Sequence, residues 1–244
     1  MAQDVELAGI PYPPAPWRLS GRLWAGCFRT DRPVPLPYGL RHALGSRTLV
    51  VVLARYLEGT LNYDELAIGV PAFRGARPGL FVDRMWVNDQ VSVAGGRGIW
   101  GLPKQLAEFA WDGRVVRVTD GMGLVAAVTV DGPAVRLPWL WLPVPAMGRI
   151  DGQWAVVVGG LRARLGRASI GVGEWSARFP YRPASRPLVA VAAEPFRLNM
   201  PPPTLLGDRP KRGSGADPVR AAGVSCDRDG AEADPNGGAQ ASQG

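Results

Sequence analysis

Histidine is almost missing from this chain: His42 is the only one in 244 residues. No cluster of imidazoles is available for a zinc site and no second histidine for a two-histidine iron site, so metal chemistry is not expected. A Ser–His–Asp triad would have to be built on His42, and no G-x-S-x-G elbow supplies its serine. His42 is therefore read as a structural or surface residue. The sequence has no G-x-x-x-x-G-K-[ST] loop, and the glycine-rich run Ala94-Gly95-Gly96-Arg97-Gly98 does not open a βαβ unit. No cofactor is expected.

Cysteine is scarce too. Cys27 and Cys226 lie far apart, so no disulfide framework is implied and a reducing compartment fits. No apolar run approaches the ~20 residues of a membrane helix. The acidic start MAQDVELAG lacks the basic and apolar regions of a signal peptide. These features lead to the expectation of a soluble cytoplasmic protein with no membrane partner.

Lysine is the third scarcity. Of 28 basic residues only Lys104 and Lys211 are lysines. Such a bias, with heavy use of Ala, Gly and Pro, resembles the codon pressure of a GC-rich genome, and a lysine kept in that setting attracts attention. The formal net charge is +7, with the excess lying before residue 207. The arginines are scattered through strand-like runs, without a basic run or a stacking motif, so nucleic acid is not an expected partner.

What is present favours a mainly β fold of one domain over residues 1–206. Runs at 49–54, 91–94, 115–118, 124–130, 154–158, 161–167 and 188–193 are short, rich in Val and mostly bounded by Gly, Pro or Asp. Asp112-Gly113, Asp120-Gly121, Asp131-Gly132 and Asp151-Gly152 recur between them as hairpin signals. An antiparallel meander is expected from about 105 to 165. Short helices are expected near 37–44 and 103–109, each led by a proline. Segment 134–149, with three prolines around Trp139-Leu140-Trp141-Leu142, reads as a packed loop that closes one end of the sheet or meets another subunit. From Gly207 onward large apolar residues almost vanish, so 207–244 is expected to be a disordered tail, with Lys211 solvated in it.

The chemistry then centres on Lys104, in Gly101-Leu102-Pro103-Lys104-Gln105-Leu106. Its neighbours are apolar and the nearest acid in sequence is Glu108. An ammonium without water favours its neutral form, so the pKa of Lys104 is expected to fall from the free value of ~10.4. A neutral amine attacks a carbonyl carbon to form a Schiff base.

The run GRGIWGLPKQL, ending at Leu106, resembles the active-site segment of the acetoacetate decarboxylase family, roughly G-R-E-x-x-G-x-P-K-K-L, whose first lysine forms the Schiff base. Ser20-Gly21-Arg22-Leu23 and Phe28-Arg29-Thr30-Asp31 resemble the strand with the family's substrate-binding arginine. Leu61-Asn62-Tyr63-Asp64-Glu65 resembles its Tyr-x-Glu motif. The resemblance covers about residues 15–112 and implies an antiparallel β-barrel or cone, more than one subunit, and a keto acid or related carbonyl substrate. It assigns Lys104 as nucleophile and Glu65 as proton carrier, where the alternative for Glu65 is a surface acid in a hairpin. Arg22 would pair with a substrate carboxylate, unless it forms a structural ion pair with Asp31 or Asp64. Arg97, Trp100, Leu102, Gln105 and Tyr63 would contact substrate.

Three positions depart from the family pattern. Gln105 replaces a second lysine, so no like charge there depresses Lys104. The stretch Leu49-Val50-Val51-Val52 lacks an upstream acid, and Gly98 replaces a glutamate. Imine formation survives these losses, but the reaction is left open between decarboxylation and the aldol, dehydration or cyclisation chemistry of secondary metabolism. Two other readings stand beside it: a non-catalytic barrel that binds a small molecule, and an assembly subunit using its Trp-Leu-Trp-Leu segment.

Overall fold

Residues 9–132 and 135–207 are described by the computed structural model. In chain order they form β1 (Trp17–Arg29), β2 (Arg41–His42), β3 (Thr48–Gly59), β4 (Tyr63–Arg74), β5 (Arg77–Val87), α1 (Gln90–Trp100), β6 (Lys104–Leu106) and β7 (Glu108–Asp112). There follow β8 (Val115–Asp120), β9 (Gly123–Asp131), β10 (Trp139–Ile150), β11 (Gln153–Arg167), β12 (Ser169–Trp175), β13 (Val189–Met200) and β14 (Thr204–Leu206).

Every residue of β4 from Tyr63 to Val70 is buried. A strand buried on both faces needs a layer on each side, and the topology supplies both. Strands β4, β3, β1, β13, β11, β10 and β5 pair in that order, and β5 pairs back onto β4, which closes a seven-stranded barrel. The pairings are antiparallel except β10 with β5, where Ala146 lies opposite Leu80. Strand β6 extends β5 in parallel, with Lys104 opposite Met85. A second sheet, ordered β12-β9-β8-β7, covers part of the outer wall of the barrel.

Side chains alternate between these layers. On β4, Leu66, Ile68 and Val70 face outward into a core shared with Val118, Val128 and Ile170 of the second sheet. Tyr63, Glu65 and Ala67 face the barrel interior. On β1, Trp17, Leu19 and Leu23 face inward, whereas Arg18 and Arg22 are exposed and Trp24 joins the outer core.

The β class is as expected, and several boundaries differ. The run 91–94, expected as a strand, lies in α1, the one α-helix among the described residues. Its Val residues suggested extension, but Asp89 caps the helix by accepting a hydrogen bond from the Ser92 amide. Its interior glycines sit where other side chains press close. A Cβ on Gly95 would strike the Trp17 ring, one on Gly96 the Lys104 stem, and one on Gly98 the Tyr12 hydroxyl. Close approach thus overrides the poor helix propensity of glycine.

The helices expected near 37–44 and 103–109 do not form. The first region holds only the short β2, and the second is β6 followed by β7. Their leading prolines mark turns instead. Segment 134–149, expected as a loop, is largely β10; its side chains pair against β11, with Leu142 opposite Leu161. Prolines 143 and 145 are accommodated within that pairing. Asp151 (φ 47°) and Gly152 (φ 78°) form the tight β10–β11 turn, as the Asp-Gly signal indicated. The expected meander is divided: β7, β8 and β9 belong to the second sheet and β10 and β11 to the barrel.

His42 donates a 2.9 Å hydrogen bond from Nε2–H to the Val34 carbonyl, a structural contact. Among the described residues no helix is long and apolar enough to cross a membrane. The tail expected at 207–244 lies, apart from Gly207, outside the described residues, as do Lys211 and Cys226.

Candidate active site

Lys104 opens β6 directly after α1, and the turn between them is tightly specified. Gly101 ends the helix in the left-handed region (φ 62°), its amide bonded to the Arg97 carbonyl. A side chain there would collide with the backbone of Arg149, so glycine is required. The Lys104 amide donates to the Leu102 carbonyl at 2.8 Å, and its carbonyl accepts from Arg97 Nε at 2.7 Å. The lysine backbone is clamped on both sides, and its side chain runs along Gly96 into the barrel.

Inside, Lys104 is 3% exposed. Its Nζ donates to Glu65 Oε2 at 2.9 Å, Ser92 Oγ at 2.9 Å and Tyr63 Oη at 3.1 Å. Three acceptors match the three protons of an ammonium. Glu65, 7% exposed, is held in turn by Tyr56, whose hydroxyl donates to Oε1 at 3.1 Å. Glu65 reaches the amine from two strands away in the same sheet: it pairs with Val87 of β5, and β5 carries Met85 opposite Lys104.

The electrostatics reverse one expectation. Burial does push the Lys104 pKa down, but the adjacent Glu65 carboxylate, Tyr63 and the hydrogen bonds to both raise it further, so the net value lies above the ordinary lysine value. The resting site is an ammonium–carboxylate pair, because a carboxylate at 2.9 Å outweighs the loss of water. Burial also pushes the Tyr63 hydroxyl up to about 12, despite the pull of the ammonium, with Glu65 adding to the rise. Tyr56 lies well above its usual value through burial and then the Glu65 charge. Both tyrosines are neutral near pH 7, Tyr56 donating to Glu65 and Tyr63 accepting from the ammonium.

The pair forms one wall of a cavity of about 140 Å³ inside the barrel. Trp17, Leu23, Met85, Trp100, Leu198 and Met200 are among the residues that make the rest of it apolar. Of the site residues read from the sequence, Lys104, Glu65, Tyr63, Trp100 and Leu102 come together here. Arg22, Arg97 and Gln105 do not line it. Strand alternation turns Arg22 outward, where its side chain is 55% exposed and its Nε lies 3.2 Å from Glu194, not Asp31 or Asp64. It borders a separate outer cleft with Arg55 and Trp111. Arg97 supports the Lys104 carbonyl. Gln105 follows Lys104 on β6, so the pleat directs it away from the cavity.

Two residues of this network were not read from the sequence. Ser92 became visible only once 90–100 was helical; the capping Asp89 was the available signal. Tyr56 lies on β3 opposite Tyr63, and nothing in its local sequence set it apart. The Gly98 departure has a structural reason, since Tyr12 occupies the space a side chain would need. Among the described residues no group of three or more His, Cys, Asp or Glu side chains is placed to hold a metal ion.

Comparison with known proteins gives likenesses in sequence and in fold. The family model described as acetoacetate decarboxylase matches residues 28–135. Acetoacetate decarboxylase of Acidiphilium cryptum is 32% identical over 109 residues, 42% of this chain and 44% of that protein. The Ralstonia nicotianae acetoacetate decarboxylase is 31% identical over 42% of this chain and 43% of its own length. These alignments therefore span less than half the length of those two relatives. By fold, the crystal structure of acetoacetate decarboxylase from Legionella pneumophila is similar over 82% of this chain and 92% of its own, at TM-score 0.59 and 19% identity. The enduracididine biosynthesis enzyme MppR complexed with pyruvate is similar over 82% and 93%, at TM-score 0.55 and 17% identity. A family model matching residues 28–135, relatives matching over part of their length and the shared fold together support a likeness to the acetoacetate decarboxylase family.

Proposed function

We propose that this chain is a Schiff-base enzyme of carbonyl compounds that works without a cofactor, with Lys104 as nucleophile and Glu65 as proton carrier. One observation carries the reading: the single buried amine of the barrel abuts both a carboxylate and an apolar cavity large enough for a small organic molecule. As the carbonyl compound enters, one ammonium proton passes to Glu65. The freed amine adds to the carbonyl carbon to give a carbinolamine. Glu65 returns the proton to its hydroxyl, which leaves as water, and an iminium remains on Lys104. Tyr56 and Tyr63 keep Glu65 and the amine in register. The iminium then draws electrons from the neighbouring carbon. With a β-keto acid, the reaction named in the sequence relatives, this releases carbon dioxide and leaves an enamine; protonation and hydrolysis free the ketone and the lysine.

The raised pKa of Lys104 gives Glu65 a larger part than in a mechanism based on an amine already neutral. The carboxylate must accept the proton locally before attack, so its removal is expected to lower turnover by about 10²–10⁴. The reading also includes self-association through the face around Trp141, which is 67% exposed; a Trp141→Ser variant sedimenting like the parent would contradict that part.

The test is reduction of the protein with cyanoborohydride in the presence of ketones, aldehydes and keto acids, followed by peptide mass mapping. A single adduct on Lys104 is expected, absent in Lys104→Arg because a guanidinium stays protonated. A protein that gives no Lys104 adduct with any of these carbonyl classes would overturn the proposal.

A further inference from the structure

From the charges that meet in the barrel interior, we propose that the site is built for a small, uncharged, apolar carbonyl compound, an aliphatic or aromatic ketone or aldehyde, and discriminates against keto acids. The inference deepens the Schiff-base reading and rests on it.

The charged and titratable groups facing the cavity among the described residues are Lys104 from β6, Glu65 and Tyr63 from β4, and Tyr56 from β3. Strands β1, β5, β10, β11 and β13 contribute only apolar lining, for example Leu23, Met85, Val144, Leu161 and Leu198. In the resting state the ammonium and the carboxylate cancel. A neutral carbonyl keeps that balance through the whole sequence, because the cation merely moves from ammonium to iminium while Glu65 ends as it began. A keto acid adds a second carboxylate to a dry space already holding Glu65. The guanidinium best placed by sequence to compensate, Arg22, is on the outer face of β1 and engaged by Glu194. An uncompensated buried charge is strongly unfavourable, and the usual escape is uptake of a proton. Keto-acid binding should therefore carry a proton with it, whereas ketone binding should not.

Size points the same way. A cavity of about 150 Å³ with Leu, Ile and Phe walls holds benzene, so the 140 Å³ here suits a small compound of about six to eight non-hydrogen atoms. The indole N–H groups of the lining residues Trp17 and Trp100 are spent on the Pro13 and Pro201 carbonyls, so among the described residues the walls offer a carboxylate only the amine and the two phenols.

A matched pair of probes separates charge from shape: 5-methylhexan-2-one and 4-oxopentanoate have the same number of non-hydrogen atoms, with an isopropyl group in place of the carboxylate. The rate of cyanoborohydride trapping on Lys104 of the full chain would be measured for each between pH 6 and 8, each divided by the rate with a free lysine derivative. The expected result is a ketone at least about tenfold faster at pH 8, with the keto-acid-to-ketone ratio rising about tenfold per unit of pH lowered. A keto acid trapped as fast as the ketone, at a ratio independent of pH, would overturn the inference while leaving the imine reading intact. Absence of a Lys104 adduct with both probes would bring down the imine reading itself, and this inference with it. A second measurement is Leu23→Arg, which puts a guanidinium on the inner face beside Arg22. A folded variant is expected to gain keto-acid trapping at pH 8 relative to ketone; an unchanged ratio in a folded variant would count against the charge argument.

Discussion

Lys104 and Glu65 can be understood as a pair whose cost to the fold is set by whether both remain. Removing one partner of a buried ion pair leaves the other uncompensated, typically at about 3–5 kcal/mol, whereas replacing both with apolar groups is often close to neutral. Denaturant unfolding is therefore expected to show Glu65→Leu and Lys104→Met each clearly destabilised, with the double variant recovering most of the loss. Additive losses would mean that the two side chains do not form the coupled pair seen at 2.9 Å. The same site contributes to the alkaline limit of stability. Lys104 and Tyr63 both hold their protons more tightly when folded, Tyr63 up to about 12. Their contribution is fully present below the unfolded values near 10 and is lost as pH rises through the folded ones. Stability should be flat in this respect below about pH 10 and then fall by up to about 1.4 kcal/mol per pH unit for each group. Tyr63→Phe should flatten that slope in urea titrations between pH 9 and 11; an unchanged slope would contradict the assignment.

At the scale of elements, α1 is the informative case. Gly96 is helical, and in an open helix Ala would be favoured over Gly by about 1 kcal/mol. Here a Cβ would press on Cδ and Cε of Lys104, so Gly96→Ala is expected to shift the amine away from Glu65 and cut Lys104 trapping at least about tenfold while the fold persists by circular dichroism. A trapping rate equal to the parent's would show that the lysine stem does not depend on this gap. The helix also explains what the sequence left illegible. Val91, Val93 and the glycines 95, 96 and 98 read as strand or loop by local preference, and only the tertiary neighbours Trp17, Lys104 and Tyr12 make glycine the suitable residue. The segment around Trp139 was obscured differently: its prolines argue locally against a strand, yet the long β11 partner holds it in the barrel.

For the molecule as a whole, alternation was the legible part and closure was not. Val-rich runs with Asp-Gly turns marked the β class, and the Pro103-Lys104 and Tyr63-x-Glu65 spacings marked residues that meet although they lie 39 positions apart. Which face each strand turns inward depends on pairings between distant segments, such as β5 with both β4 and β10. That is why Arg22 could be read as a carboxylate ligand, and why it lies instead on the outer wall. Burial of Lys104 was legible from its apolar neighbours, but the sign of its pKa shift was not, since that depends on Glu65 arriving from another strand. Among the described residues the barrel interior thus contains a single ion pair with an apolar hollow beside it, and on the proposed reading this amine reversibly condenses with a carbonyl. Imine formation and hydrolysis exchange the carbonyl oxygen with solvent even when no net reaction follows. The most direct measurement is the exchange of oxygen between 5-methylhexan-2-one and isotopically heavy water, read by mass spectrometry. The parent chain should accelerate exchange well above the buffer rate and Lys104→Met should return it to that rate; equal exchange in the two proteins would contradict the account.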